Sequence, residues 1–241
     1  MRDYLLDIVK HTLPLGAFTQ LRFDCHSDTT DISAKDVDDH LVLKAQTHAP
    51  IPEFVETFGV PNLSLLNTLL NIPEYDESAS IKLVTKKSDD AVIPLNIHFE
   101  NSAGDFKNDF RLMSKRVIEN LQPLLDMQVT LPVQFVPSVS SITRLKYQVS
   151  AHPDEKNVQF DVSNGEVHAT VGDASTHSGS FMFHSGVDSS ANYSFVVPSN
   201  FVLGALNMDG DKTIHLGELG TMITVDSGLA RYDYIIPLLS K

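Results

Sequence analysis

Three clusters of reactive side chains in this 241-residue sequence have the composition of a chemical site. Cys25-His26-Ser27-Asp28 sets a thiol, an imidazole, a hydroxyl and a carboxylate in consecutive positions, the parts of a nucleophile and its base. The stretch reads as strand, where neighbours point to opposite faces, so these groups do not converge. Asn207, Asp209, Asp211 and Glu218 stand at positions one, three, five and twelve of a calcium loop. Position six, where the sharp turn needs glycine, is Lys212, and the far flank reads as strand, so an acidic hairpin is expected instead. Asp38-Asp39-His40 could offer ligands to a cation but reads as a solvated turn. The sequence has no Gly-rich phosphate loop and no nucleophile elbow. These residues lead to the expectation of a protein without catalysis, cofactor or metal.

Composition narrows the remaining classes. Lys and Arg number 18 against 31 Asp and Glu, a net charge of -13, so the average surface repels nucleic acid and anionic membrane. A protein that coats DNA with its whole body is excluded; one that gathers its few cations on one face is not. Apolar residues make up 42%, yet no apolar run approaches the roughly 18 to 20 residues of a membrane helix. The lone Cys25 excludes an intrachain disulfide and a cysteine zinc cage. With an N-terminus, Met-Arg-Asp-Tyr, that has no apolar leader stretch, a cytoplasmic, reducing compartment and no membrane partner are expected.

Most of the chain alternates with period two, as in Ile81-Lys82-Leu83-Val84, Val158-Gln159-Phe160-Asp161-Val162 and Met222-Ile223-Thr224-Val225. These predict short strands with one buried face, joined by turns such as Ser163-Asn164-Gly165. Helical spacing is confined to four segments: about 2 to 12 (Leu5, Ile8, Val9 inward), 62 to 71 (Leu63, Leu66, Leu69, Leu70), 138 to 151 (Ile142, Leu145, Val149) and 199 to 208. Prolines at 61, 137 and 198 precede three of them.

Thr57-Phe58-Gly59-Val60-Pro61-Asn62-Leu63 and Ser194-Phe195-Val196-Val197-Pro198-Ser199-Asn200 share one plan of strand, proline, cap and apolar helix, each followed by a turn and a strand. This internal repeat predicts two similar domains, 1-113 and 128-241. Residues 114-127 between them are amphiphilic and proline-interrupted, which suits a connector lying over a surface.

The cations are not spread evenly. Segments 62 to 71 and 199 to 208 carry no charged residue, and 138 to 151 carries Arg144 and Lys146 with no acid. The first helix adds Arg2 and Lys10 against Asp3 and Asp7. A single helix cation is ordinarily a solvated residue; in a chain with this acid excess the set is unusual.

At the C-terminus, Leu229-Ala230-Arg231-Tyr232-Asp233-Tyr234-Ile235-Ile236-Pro237 resembles the aromatic-rich final strand of the DNA polymerase sliding clamps, in the trimeric form shared by proliferating cell nuclear antigen (PCNA) and the clamps of tailed phages. The Pro198 junction, the connector after Phe110-Arg111-Leu112-Met113 and the duplicated plan extend the likeness over most of the chain; the first 50 residues match loosely. The resemblance implies an α+β, duplicated DNA-clamp fold: two domains of antiparallel sheets with two short helices each, closing as a homotrimeric ring. Twelve inner helices at about 10 Å each give a circumference of roughly 120 Å and a hole of about 28 Å, wider than a duplex of roughly 20 Å.

The family then implies a processivity factor, viral if phage-encoded and working in the host cytoplasm, with duplex DNA, a DNA polymerase, a clamp-loader ATPase and copies of itself as partners. Arg2, Lys10, Arg144 and Lys146 would face DNA. Val117, Ile118, Leu121, Leu124 and Leu125 of the connector, with Tyr234, Ile235, Ile236 and Pro237, would frame a pocket for partner peptides. Phe106, Phe110 and Leu112 of one protomer would meet Phe181 and Phe183 of the next. The alternative is a β-rich virion structural protein, which shares the composition and duplication but does not require cations on helices.

Overall fold

Period-two segments become antiparallel strands and the amphipathic segments become short helices in the computed structural model of the chain, which describes residues 1–88, 91–123 and 131–238. The chain packs as two units, each made of non-contiguous pieces. The first comprises Met1–Asp36, Leu43–Asp126 and Ser227–Arg231, the second Val37–Val42, Met127–Asp226 and Tyr232–Lys241.

In chain order the first unit is built from α1 (Arg2–Thr12), β1 (Gln20–Cys25), β2 (Thr30–Lys35), β3 (Val42–Thr47), β4 (Thr57–Pro61), α2 (Leu63–Leu70), β5 (Ser80–Ser88), β6 (Ala91–Glu100) and β7 (Lys107–Arg111). Its strands lie in the orders β4-β1-β2-β3 and β5-β6-β7. A further helix, α3 (Lys115–Leu121), follows. The second unit begins with β8 (Val133–Phe135) and then repeats the plan: α4 (Val139–Ala151), β9 (Asn157–Ser163), β10 (Glu166–Gly172), β11 (Ser178–Ser185), β12 (Tyr193–Pro198), α5 (Ser199–Leu206), β13 (Asp211–Gly217), β14 (Gly220–Asp226) and β15 (Ala230–Pro237). Its orders, β12-β9-β10-β11 and β13-β14-β15 with β8 beside β13, reproduce those of the first unit. The repeat legible in those two short stretches is therefore a duplication of the whole topology.

Local chemistry explains the junctions. Asn62 adopts φ +49°, and its side chain caps α2 by accepting from Leu65 N at 3.1 Å. Ser138 caps α4 in the same way, accepting from Ser141 N at 3.0 Å. Ser199, placed by its sequence as a cap, instead lies inside α5 and donates to the Lys156 carbonyl at 2.9 Å. Asn164 and Gly165, at φ +53° and +82°, make the tight turn between β9 and β10 that positive φ at both positions allows.

The cores follow the stripes. In the first unit Leu5, Ile8 and Val9 of α1 and Leu63, Leu66, Leu69 and Leu70 of α2 are buried, and so are Phe23 and Phe58, whose rings stack at 5.2 Å. In the second, Phe160, Phe183 and Phe195 form the ring cluster, with centroids 5.7 Å apart. Helix α4 departs from expectation: Leu145 is buried, while Ile142 and Val149 are half-buried. Among the described residues no helix is long and apolar enough to cross a membrane.

Candidate nucleic-acid and partner surfaces

Helix α4 rests on the second unit through one narrow line. Ser141 Oγ donates to the Phe183 carbonyl at 2.7 Å, fixing the start of the helix to β11. Leu145 anchors its middle, and α4 also packs on α5. The opposite face is left open and carries Ser140, Arg144, Lys146, Tyr147 and Ser150 without an acid. Arg144 holds its guanidinium 5.1 Å from the centre of the Phe181 ring, a cation–π contact, while its side chain stays exposed. Tyr147 is 71% exposed, an unusual position for so large a ring.

A further cation belongs to this surface. Lys212 is the second residue of β13, just after α5, and its Nζ donates to the Gly210 carbonyl at 2.8 Å. Burial lowers its pKa, Asp209 and Asp211 oppose that shift, and the like charge of Lys146 adds to it, which places the two lysines in each other's field. The sequence disguises Lys212 between two aspartates, outside the helices.

In the first unit Lys10 is exposed in the last turn of α1. Arg2 is otherwise engaged: its Nε donates to the Tyr75 carbonyl at 3.2 Å and a terminal nitrogen to the Leu70 carbonyl at 3.1 Å. Its charge thus sits at the C-terminal end of α2, where it offsets the helix dipole.

The described part of the connector is a helix clasped onto the first unit. Ile118 is buried against Gly59 of β4, so close that a Cβ there would lie 2.9 Å from three Ile118 carbons. The Gln122 amide brackets the end of β2, accepting from Lys35 N at 3.0 Å and donating to its carbonyl at 3.3 Å. The buried Arg22 donates to the Gln122 carbonyl at 3.3 Å and to Asp24 at 2.7 Å. Two apolar residues stay outside this clasp, Val117 at 45% and Leu121 at 46% exposure. Leu124 and Leu125 lie outside the described residues. On β15 Tyr234, Ile235 and Ile236 are buried and Pro237 is half-buried.

β7 lies at one end of the three-stranded sheet, opposite β5, and β11 at one end of the four-stranded sheet, opposite β12. Phe110, Leu112, Phe181 and Phe183 point into their own units and are buried, whereas Phe106 is 40% exposed. Met182, between the two inward phenylalanines of β11, is an exposed apolar residue that strand alternation could have singled out.

The reactive clusters are placed by ordinary structure. Burial, reinforced by Asp24, pushes the Cys25 thiol up to about 12, and His26 faces Asp31 at 3.3 Å. The calcium-loop spacing starts at the C-cap of α5 and runs through a turn into the β13–β14 hairpin, with Lys212 paired to Val225. Asp38, Asp39 and His40 are exposed.

No family model matches the sequence, and no curated protein does. Solved structures do match. A chain from the structure of the C-terminal region of FEN-1 bound to A. fulgidus PCNA superimposes with a TM-score of 0.73 at 11% identity, covering 100% of this chain and 96% of that one. PCNA from Thermococcus kodakaraensis gives 0.68 at 10% identity, covering 99% and 97%. With antiparallel sheets, few helices and end-to-end coverage, the chain has the PCNA-like sliding-clamp fold.

Proposed function

We propose that the chain is the subunit of a homotrimeric sliding clamp that encircles duplex DNA and tethers a replicative DNA polymerase, with a clamp-loader ATPase opening the ring. The observation that carries this reading is α4: an open helix face with Arg144 and Lys146 and no acid, in a chain of net charge -13. Cations that meet phosphates through water lower the cost of holding DNA inside an acidic body, and the lack of base-reading groups lets the ring slide. Lys212 adds to this face, and in the first unit the exposed Lys10 of α1 is a second DNA-facing cation, while Arg2 acts through α2. Edge strands β7 and β11 of neighbouring protomers pair to close the ring, which removes two open edges per chain. Partner peptides dock on the exposed Val117 and Leu121 of α3.

The test is primer extension with a cognate polymerase and loader. Arg144→Glu combined with Lys146→Glu is expected to shorten the products by about tenfold at unchanged initiation, because reversing both charges turns attraction for phosphates into repulsion. Product length equal to that of the unaltered chain would refute the proposed DNA face.

A further inference from the structure

The three-stranded sheet of the first unit has two unlike faces. Ile97, Phe99 and Phe110 are buried, so the alternate residues Asn96, His98 and Glu100 of β6 and Lys107, Asp109 and Arg111 of β7 form the opposite, solvent-facing side. On β5, Lys82 opposite His98 and Val84 opposite Asn96 share that side. Leu95 is the extra residue of a bulge in β6, and beyond it Lys86 opposite Ile93 continues the same face.

The two acids on this face are already occupied. Glu100 takes Lys107 at 2.8 Å and His98 Nε2 at 3.5 Å, and the Lys107 hydrogen bond holds its carboxyl below the ordinary range. Asp109 accepts from Asn96 at 2.5 Å and faces His98 Nδ1 at 2.8 Å. The charged groups of Lys82, Lys86 and Arg111 have no ion pair among the described residues, although the chain has 31 acids to offer. In their midst Val84 and Ile93 are 38% and 37% exposed. Cations around an aliphatic centre, on an otherwise acidic protein, present complementary charge and an apolar seat to one kind of ligand.

We propose that this sheet face is a docking surface for an acidic protein segment whose aspartates and glutamates flank one or two aliphatic residues. Lys82, Lys86 and Arg111 receive the carboxylates, and Val84 with Ile93 receives the aliphatic side chain. A nucleic-acid backbone offers no group for the apolar centre, and the face has no exposed aromatic ring on which a base could stack. The surface lies within one unit, so it serves whether or not the chain encircles DNA.

Lysines on an outer strand also discourage pairing with other sheets. Glutamates would do so equally well, so charge reversal separates the two roles. The measurement is fluorescence anisotropy with a short dye-labelled peptide of alternating Glu and Leu, on the intact chain and on two variants whose fold is checked by circular dichroism. Lys82→Glu/Lys86→Glu/Arg111→Glu is expected to weaken binding by at least about tenfold, and Val84→Ser/Ile93→Ser by a few-fold with an unchanged salt dependence. If the reversal variant misfolds, Lys82→Gln/Lys86→Gln/Arg111→Gln carries the same expectation at smaller amplitude. Undiminished affinity in the charge variants would overturn the proposal. So would equal competition by a short DNA duplex, which would reveal general polyanion attraction, or self-association by light scattering that these substitutions abolish, which would give the face to a second copy of the chain.

Discussion

Arg2 and Arg144 carry the same charge to different ends. Arg2 spends its donors on the Leu70 and Tyr75 carbonyls and becomes part of how α2 ends, whereas Arg144 lies on a ring face and stays exposed. Burial makes the same division among the aliphatic residues proposed to receive partners. Leu121 and Val117 stand out from α3, so Val117→Asp with Leu121→Asp should cost under about 1 kcal/mol of stability while abolishing binding of a polymerase-tail peptide. Ile236→Asp would place a carboxylate in a fully buried position and should destabilise the chain by roughly 4 kcal/mol or more. Calorimetric melting and peptide titration of both variants check this; undiminished peptide binding by the α3 variant would remove that helix from the partner surface.

Among the elements, α3 depends on a glycine in a strand some sixty residues earlier. Gly59→Ala would drive a methyl group into the β-carbon of Ile118, an atom that cannot swing aside, so the helix must shift. A loss of about 1 to 3 kcal/mol is expected, with faster amide exchange concentrated in Lys115–Leu121, and unchanged exchange there would contradict the clasp. Sequence patterns revealed α1, α2, α4 and α5 because a buried stripe of aliphatic residues leaves a helical period, most clearly in Leu63, Leu66, Leu69 and Leu70. They did not reveal α3 as a clasped helix, because its fixing groups are Gly59, Arg22 and Lys35, all distant in sequence. The diversion of Arg2 was hidden for the same reason: a carbonyl acceptor has no residue type. The inward-facing residues of α4 were overcounted, since apolar spacing cannot tell a helix seated on one leucine from one seated on three. Exposure of Arg144 and Lys146, by contrast, could be read directly from the missing acids around them.

For the whole molecule the informative fact is that one order of helix, four strands, helix and three strands occurs twice, with the same sheet orders. A duplicated unit with β7 and β11 among its sheet ends offers two different edges for pairing, and heterologous edges close into a ring when the rotation per subunit permits. On the proposed reading three chains supply six such units, and their twelve helices, with the acid-free face of α4 among them, line the hole. Single-particle electron microscopy of the cross-linked protein tests this most directly. The account predicts a three-fold particle with a central opening of roughly 28 Å, the width left by twelve helices set side by side. A compact single-chain particle, or an open filament with no hole, would contradict it.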